Sequence, residues 1–321
     1  MNISISFIIV NYNSLDYTKS CIGSILSFLK GKDLVSWEIV IIDNGSADGS
    51  IDYLKGIVKK HKNIYLIDAG KNLGFCKACN IGAEKAKGKF LVFLNPDSKL
   101  TGGNIEDLIE FYENRIKTHR VGVAGAKLVN SDGTLQYSCR SFPTLARQFY
   151  ESYFLHRLFK NSPVFGSYFL SWWDHRSVRE VDWLSGAFMF IRKKDFDEAG
   201  GFDEDYFMYS EDCDLCLRLY REGYKNYYFP FFIVEHADSG IASKNKALRE
   251  AGVWKSRRLY FKKNYSLFHA EALSFLYFLG VINRIVLFIS LLIFVPKKQN
   301  RQRLAIYFKT LKLYFTRQFG D

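Results

Sequence analysis

Four short apolar runs in the first hundred residues alternate with helical segments, and this alternation limits the possible folds more than any other feature. The runs cover residues 5–10, 37–42, 63–67 and 90–94 and are rich in Ile, Val, Leu and Phe. Continuous apolar runs of this length are typical of strands that are buried on both faces. Strands separated by helices form a mostly parallel sheet flanked by helices, so the sequence predicts an α/β fold.

Polar side chains follow three of these strands at the points where the strands end. Asn11 comes after the first strand, Asp43 after the second, and Asn95 and Asp97 after the fourth. In open parallel sheets, ligands bind beyond the carboxyl ends of the strands, and these ends meet at one edge. We therefore expect these side chains to share one binding site.

A cluster of carboxylates stands at the start of a predicted helix over residues 211–222. Glu211, Asp212 and Asp214 precede an apolar-periodic run that stops at Gly223, a natural helix end. The field at a helix N-terminus stabilises ionised acids, and two neighbouring acids can hold different pKa values. Such a pair suits proton abstraction or cation binding. The alternative is a capped surface helix with a charged first turn.

The net charge of +12 is concentrated in the last quarter of the chain, where residues 244–321 hold sixteen Lys or Arg and three Asp or Glu. Within this region, residues 272–295 carry Arg284 as their only charge and are long enough to span a bilayer. Basic clusters on both sides favour a helix that lies in or dips into the cytoplasmic leaflet. A membrane span and a soluble packed helix are the alternatives, and the apolar run argues against a nucleic-acid tail.

Two further patterns bear on compartment and metal content. Cys76/Cys79 and Cys213/Cys216 have Cys-x-x-Cys spacing, but each pair falls within a predicted helix, so we expect packed thiols rather than zinc. The N-terminal residues lack the basic leader and cleavage site of a signal peptide. We therefore expect a protein at the cytoplasmic face of the cell membrane.

Seven motifs, in this order, resemble the inverting nucleotide-sugar glycosyltransferases of glycosyltransferase family 2, which have a GT-A fold. Single motifs are weak, whereas the ordered set, which covers about residues 4–240, is specific. The resemblance extends to bacterial rhamnosyltransferases and galactofuranosyltransferases that build surface polysaccharide. The motifs are Ile9-Val10-Asn11-Tyr12-Asn13, Ile42-Asp43-Asn44-Gly45-Ser46, Asn72-Leu73-Gly74-Phe75 with Asn80-Ile81-Gly82, Leu94-Asn95-Pro96-Asp97, Trp183-Leu184-Ser185-Gly186-Ala187, Gly200-Gly201-Phe202-Asp203-Glu204 and Glu211-Asp212-Cys213-Asp214-Leu215.

The resemblance implies a nucleotide-sugar site at the predicted strand ends. Asp43 would accept a hydrogen bond from the base or ribose, and Asn11 and Tyr12 would line the base pocket. Asn72 and Gly74 would belong to a loop close to the base and phosphates, where glycine permits a near approach of the backbone. The full implied set is Val10, Asn11, Tyr12, Asp43, Asn72, Gly74, Asn95 and Gly186.

The resemblance also implies Mg²⁺ or Mn²⁺ as cofactor. Asp97 resembles the last acid of the family's Asp-x-Asp motif and supplies a hard oxygen ligand, while Asn95 stands where that motif has its first acid. The substitution removes one negative charge from the metal site. His236 resembles a late histidine that completes the metal sphere. A turn role for Asp97 and a buried structural role for His236 are the alternatives.

Asp212 is the predicted general base, which deprotonates the acceptor hydroxyl as it attacks the anomeric carbon from the opposite face. Glu211 would orient the site. The predicted acceptor-binding residues are Trp183, Asp203, Glu204 and Asp214, with support of the helix start as the alternative for Asp214.

We thus expect a GT-A domain over 1–240, with a nucleotide-sugar half over about 1–130 and an acceptor half over about 131–240. A helical, membrane-associating region would follow over 241–321. The expected function is transfer of one sugar, L-rhamnose from dTDP-rhamnose, to a polyprenyl-linked glycan of the cell surface.

Three other functions compete with this one. A UDP-sugar transferase, galactofuranosyl or hexosyl, is the nearest alternative, and a non-catalytic sugar-nucleotide-binding subunit is the alternative of another class. A dinucleotide oxidoreductase would need Gly-x-Gly-x-x-Gly after the first strand, where this chain has Asn11-Tyr12-Asn13-Ser14.

Overall fold

The computed structural model describes residues 4–31, 35–237, 246–294 and 297–316. The chain divides into two compact units. The first is built from the described parts of 1–142, 174–207 and 211–241, and the second from those of 143–173, 208–210 and 242–321. The segment 143–173, which the sequence analysis places in the acceptor half, thus belongs with the C-terminal helices. The expected boundary at 240/241 lies outside the described residues.

The elements of the chain follow in order. They are β1 (Ile5–Asn11), α1 (Leu15–Leu29), β2 (Trp37–Asp43), α2 (Ser50–Lys60), β3 (Ile64–Asp68), α3 (Phe75–Lys85), β4 (Phe90–Leu94), β5 (Ser98–Gly102), α4 (Ile105–Ile116), β6 (Val121–Val129), β7 (Leu135–Gln136), β8 (Cys139–Arg140), α5 (Leu145–Ser152), α6 (Leu155–Leu158), β9 (Arg179–Val181), β10 (Trp183–Leu184), β11 (Phe188–Arg192), α7 (Lys193–Glu198), α8 (Glu211–Arg221), β12 (Lys225–His236), α9 (Lys246–Asn264), α10 (Leu267–Phe294) and α11 (Lys298–Thr316).

The first unit is organised around a mostly parallel sheet at its N-terminal side, which confirms the predicted α/β, GT-A-type fold. Its strands run in the order β3-β2-β1-β4-β11-β6-β12-β5. β1 pairs in parallel with β2 and β4, and β2 pairs in parallel with β3. All seven residues of β1 are buried, as expected for a strand covered on both faces. The carboxyl ends of β1, β2 and β4 therefore meet at one edge.

The second half of the sheet departs from a purely parallel pattern. β11 pairs antiparallel with β4, and β12 pairs parallel with β6 but antiparallel with β5. The sequence predicts one strand over 181–192, whereas the structure has β10 and β11 separated by Ser185–Ala187. The break occurs because the backbone N–H of Gly186 bonds to a side chain of α8 instead of to a neighbouring strand.

The core between sheet and helices is rich in aromatic rings. Phe190 on β11 stacks on Phe90 of β4 with ring centroids 4.8 Å apart, and Tyr112 of α4 meets both rings edge-on. All three are fully buried. The Tyr112 hydroxyl donates to the carbonyl of Val121 at 2.8 Å, so its polar end is satisfied inside the core.

The second unit is helical. Its longest helix, α10, packs against α5, α9 and α11. By length and composition, α10 is the one helix among the described residues that could cross a membrane, and the structure extends it to Leu267, before the predicted start at 272. Large apolar side chains on α10 are exposed, including Phe275, Ile289 and Ile293.

A tight approach between β5 and β12 depends on Gly103. Gly103 has φ +86°, and a Cβ there would collide with the carbonyl oxygen of Phe231. We expect Gly103→Ala to destabilise the fold by about 2–5 kcal/mol, because left-handed strain and a backbone clash add. Urea and thermal unfolding measure the loss.

Gly133→Ala is the matched control for this prediction. Gly133 also has positive φ, at +79°, but a Cβ added there would meet open space, so the variant carries the strain without the clash. Equal losses of stability in the two variants would contradict the prediction.

Candidate functional site

Two of the predicted polar clusters meet at the ends of β1 and β2. The Asn11 amide donates to Asp43 Oδ1 at 2.6 Å, and both side chains are buried. The second oxygen of Asp43 accepts the backbone N–H of Ser46 at 3.0 Å. Tyr12 lies beside them with 38% of its surface exposed. Asp43 is thereby held rigidly at the sheet edge, where its predicted contact with the nucleotide stays a prediction.

Asn44, which follows Asp43 in the polar cluster and in the second motif but is not in the implied nucleotide-sugar set, ties the loop of Asn72 and Gly74 to the end of β2. Its amide donates to Asn72 Oδ1 at 2.9 Å and to the carbonyl of Gly74 at 3.1 Å, and its oxygen accepts the N–H of Leu73. Its position directly after Asp43 was the available signal.

The loop of Asn72 and Gly74 also contacts the segment that carries the predicted acceptor acids. The N–H of Phe75 donates to the carbonyl of Phe207 at 2.7 Å. Gly74, at φ +84°, lies against the same residue, since a Cβ there would be 2.8 Å from the Phe207 ring. Any larger residue at position 74 would push the two segments apart.

The two predicted metal ligands come together although they are far apart in the chain. His236, the last residue of β12, places Nε2 3.3 Å from Asp97 Oδ1, and each side chain is about a tenth exposed. The pairing of β12 with β5 brings them together, because His236 lies opposite Ser98. Asp238–Gly240, which close the predicted histidine motif, lie outside the described residues.

Gln136 on β7 fixes the orientation of the His236 ring, and the sequence analysis missed it. His236 Nδ1 lies 2.7 Å from Gln136 Oε1, while the Gln136 amide donates to Asn130. His236 Nδ1 must therefore carry the proton and donate. The lone pair of Nε2 then points toward Asp97, and a second partner of this kind is usual for metal-binding histidines.

This pair fits a divalent cation in part. A carboxylate and an imidazole suit Mn²⁺, and the carboxylate alone suits Mg²⁺. Among the described residues, no group of three or more His, Cys, Asp or Glu side chains is placed to hold a metal ion. A cation at Asp97 and His236 would therefore need further oxygen ligands from a bound phosphate or from water. The Cys76, Cys79, Cys213 and Cys216 thiols are buried and form no disulfide among the described residues.

Glu211 and Asp212 begin α8 in different environments. Glu211 is buried, and its Oε2 has no hydrogen-bond partner in the part of the chain that the structure describes. Burial, and next the charge of Asp212, raise the pKa of Glu211 well above its usual value. Asp212 is half-buried, and its Oδ2 accepts the backbone N–H of Gly186 at 2.9 Å. The neutral form of Glu211 is favoured.

The segment Gly186–Ala187 links these acids to the predicted metal ligands Asp97 and His236. On one side Gly186 donates to Asp212. On the other, the carbonyl of Ala187 accepts the N–H of Asn95 and the hydroxyl of Ser98, each at 3.2 Å. The predicted base and the turn that carries Asp97 are therefore fixed to the same two residues. The side chain of Asn95 is half-buried directly after β4. Val10 is buried near the end of the neighbouring strand β1.

Asp214 is buried at the start of α8, and its predicted contact with an acceptor stays a prediction. It is 2% exposed, pairs with Arg218 Nε at 2.8 Å, and accepts a hydrogen bond from the Tyr206 hydroxyl. Arg218 also donates to the carbonyls of Ala199 and Gly201. This arrangement matches the alternative role of Asp214 in supporting the helix start, and Arg218 and Tyr206 are residues that sequence reasoning missed.

The other predicted acceptor residues differ in accessibility. Trp183 is 4% exposed and its indole N–H donates to the carbonyl of Ser141 at 2.9 Å. Glu204 is exposed and accepts from Asn80 at 3.2 Å, and Asp203 is half-buried beside it. Contacts of these residues with an acceptor stay predictions.

Comparison with known proteins gives two family-model matches, to "Glycosyl transferase family 2" over residues 6–173 and to "Glycosyl transferase family group 2" over residues 144–297. The chain is 29% identical to N-acetylglucosaminyl-diphospho-decaprenol L-rhamnosyltransferase of Mycobacterium tuberculosis, over 71% of this chain and 75% of that protein. It is 30% identical to rhamnosyltransferase WbbL of Escherichia coli, over 71% and 81%.

Solved structures support the same fold. The mannosyltransferase PcManGT from Pyrobaculum calidifontis, in complex with GDP-Man and Mn²⁺, aligns with a TM-score of 0.56 at 14% identity, over 99% of this chain and 87% of that one. GalNAc-T7 with UDP, GalNAc and Mn²⁺ aligns with a TM-score of 0.52 at 17% identity, over 73% and 44%. At such identities the likeness concerns the fold alone.

The raised pKa of Glu211 predicts a pH-dependent effect of Glu211→Gln on stability. The folded state favours the protonated form of Glu211. The free energy of unfolding of the wild type therefore falls as the pH rises from the usual pKa, 4.5, toward the higher pKa of the folded state. The glutamine variant lacks this loss. We expect its stability relative to wild type to improve by at least about 1 kcal/mol between about pH 5 and about pH 8.

Urea unfolding at a series of pH values measures this difference. Glu84→Gln, at an exposed position on α3, is the matched control, and its difference from wild type should stay flat. A flat profile for Glu211→Gln as well would mean that the buried acid does not hold its proton.

Proposed function

The chain belongs to glycosyltransferase family 2, and we propose that it is an inverting, metal-dependent enzyme that transfers one sugar from a nucleotide donor to a lipid-linked glycan. The observation that carries the proposal is the shared segment Gly186–Ala187, which holds Asp212 on one side and the Asn95–Asp97 turn on the other. This shared segment supports a centre that combines an acid for the acceptor with a cation site for the donor.

Asp212 is the proposed general base. Its carboxylate takes the proton of an acceptor hydroxyl while the acceptor oxygen attacks the anomeric carbon, and the bond from that carbon to the diphosphate breaks on the opposite face. Hydrogen bonds from the backbone N–H groups of Gly186 and Cys213 fix the two oxygens of the carboxylate. Neutral Glu211 adds no second negative charge beside it.

Asp97 and His236 would hold the cation. When bound, a divalent ion supplies positive charge that stabilises the departing diphosphate. Gln136 keeps the Nε2 lone pair of His236 available by accepting from Nδ1. Asn95 in place of an acid leaves one carboxylate to balance the ion, which favours weak binding that is completed by the donor phosphates.

Relatives guide the choice of donor and acceptor. We propose dTDP-L-rhamnose as donor because the M. tuberculosis and E. coli relatives are rhamnosyltransferases, and a polyprenyl-diphosphate-linked glycan as acceptor because the first relative's name specifies such a lipid. A UDP-linked galactofuranosyl or hexosyl donor is the alternative. The half-buried, hydrogen-bonded Asp212 speaks against a non-catalytic binding subunit.

A lipid-linked acceptor fits a position at the cytoplasmic face of the membrane. Exposed apolar side chains on α10, among them Phe275, Ile289 and Ile293, provide surface that can enter the acyl boundary. Basic residues before and after this helix, such as Lys262 and Lys298, favour an anionic leaflet. We propose a peripheral or monotopic attachment.

Asp212→Asn tests the base. Asparagine keeps an oxygen for the Gly186 N–H but cannot accept a proton, so we expect kcat to fall by roughly 10²–10⁴-fold with donor affinity unchanged. Asp205→Asn, at an exposed position of the preceding loop, is the matched control and should retain full turnover. Wild-type turnover in Asp212→Asn would overturn the base assignment.

A thermal-shift panel tests donor and cation together. We expect dTDP to raise the melting temperature only when Mn²⁺ or Mg²⁺ is present. The effect is measurable because a ligand at about 100 times its Kd adds roughly 2.7 kcal/mol to the stability of the folded state. UDP, GDP and NAD complete the panel, and a shift with UDP alone would favour the alternative donor.

Asp97→Ala should abolish most of the shift in melting temperature, and any shift that remains should no longer depend on the metal. Asp132→Ala, at an exposed position outside the site, is the control. The absence of any shift with a nucleoside diphosphate, for a folded wild-type protein, would contradict the transferase proposal.

A further inference from the structure

The helical unit contains a cavity of about 360 Å³ that the transfer site does not use. Three arginines from three different helices line it: Arg157 of α6, Arg284 of α10 and Arg303 of α11. Its volume falls within the range of roughly 300–1,000 Å³ that is usual for small-molecule sites. Convergence of guanidinium groups from separate helices distinguishes it from a row of surface cations on one helix.

Aromatic rings hold these guanidinium groups without occupying their N–H donors. Arg284 and Arg157 lie over the ring of Phe154, at 5.1 and 5.5 Å from its centroid, and Arg303 lies 5.7 Å from that of Phe288. Within the described ranges, no side-chain hydrogen bond or ion pair is formed by any of the three. Guanidinium forks with free donors match phosphate oxygens in a bidentate way.

The carboxylates at the cavity do not cancel this charge. Glu151 is paired with Arg257, whose Nη1 lies 3.1 Å from its Oε2. Desolvation at the cavity wall raises the pKa of Glu250, although Arg284 opposes the shift, so the charged form is disfavoured. Three guanidinium groups therefore line the cavity with two carboxylates, and one of these carboxylates already has Arg257 as its partner. The cavity therefore has a positive potential and suits an anion with more than one charge.

Apolar surface begins next to the cavity. Arg284 is the only charged residue between 272 and 294, and Leu287, one helical turn further on, is 39% exposed. Val286, Ile289 and Ile293 extend this exposed apolar surface along α10. A ligand with a multiply charged head and a long hydrocarbon chain would satisfy both surfaces.

We propose that this cavity binds the diphosphate of a polyprenyl-linked acceptor, with the chain on the exposed apolar surface of α10. The inference rests on the proposed function, which supplies the class of acceptor. A phospholipid headgroup shares the phosphate chemistry. Three convergent guanidinium groups fit the higher charge of a diphosphate better than the single charge of a phosphodiester.

The probe is farnesyl diphosphate, titrated into the full chain by calorimetry. We expect Arg303→Gln to weaken its binding about tenfold, which corresponds to about 1.4 kcal/mol, and Arg284→Gln to weaken it at least as much. Arg301→Gln is the matched control, because it removes the same charge from an exposed position of the same helix but does not line the cavity. It should bind as the wild type does.

Further titrations identify the source of the phosphate. Farnesol, which lacks the diphosphate, should bind equally to wild type and variants. Flotation with phosphatidylcholine vesicles, with and without phosphatidylglycerol, should be insensitive to Arg303→Gln. Equal farnesyl diphosphate affinity in wild type and in a variant that combines Arg284→Gln with Arg303→Gln would overturn the inference. Loss of binding in the variants that is confined to the anionic vesicles would also overturn it.

Binding of dTDP to each variant separates this inference from the proposed function. Retained dTDP binding shows that the first unit is folded, and exposed Arg303 provides a variant that does not depend on the half-buried Arg284. If the binding of farnesyl diphosphate depends on the cavity arginines while no nucleoside diphosphate binds the wild type, the transferase proposal fails and the cavity is still an anion site. If dTDP binds and the arginine substitutions do not change farnesyl diphosphate binding, the cavity inference fails and the transferase proposal stands.

Discussion

The hydrogen bond from the Gly186 backbone to the Asp212 carboxylate is the interaction on which the centre of the first unit depends. It interrupts what would otherwise be one strand, and it fixes the first turn of α8 against the sheet. The neighbouring carbonyl of Ala187 bonds to the backbone after β4. The N–H of Gly186 and the carbonyl of Ala187 therefore set the distance between the acid on α8 and the turn that carries Asp97.

The side chains at this centre that can carry a proton have different local contacts. Burial without a partner for Oε2 favours the neutral form of Glu211, whereas Oδ2 of Asp212 accepts a backbone N–H. The same logic applies to His236, where Gln136 determines which nitrogen carries hydrogen. Two acids and one imidazole thus stand in distinct environments although they are ordinary residue types.

Much of the first unit could be predicted from sequence because its signals are local. Continuous apolar runs predicted β1 to β4, and the polar residues after them predicted the sheet edge where Asn11 meets Asp43. The ordered motifs predicted the family. The Asp97–His236 pair followed from the resemblance alone, since the pairing of β5 with β12 joins segments far apart in the chain.

Long-range contacts account for what the sequence could not give. Nothing near Gln136 indicates that β7 will place it against His236, and the burial of Asp214 depends on Arg218 and on Tyr206 from another segment. The arginines around the cavity lie on three helices that only tertiary packing brings together.

The hydrogen bond between the backbones of Phe75 and Phe207 couples the loop of Asn72 and Gly74 to the segment that follows Asp203 and Glu204. Gly74 lies against the Phe207 ring, so neither segment can shift alone without opening that contact. Ordering of one by its ligand also lowers the entropy that the other must lose. If the two segments bind donor and acceptor as proposed, thermodynamic linkage makes this coupling equal in both directions, so that each substrate tightens the binding of the other by the same factor.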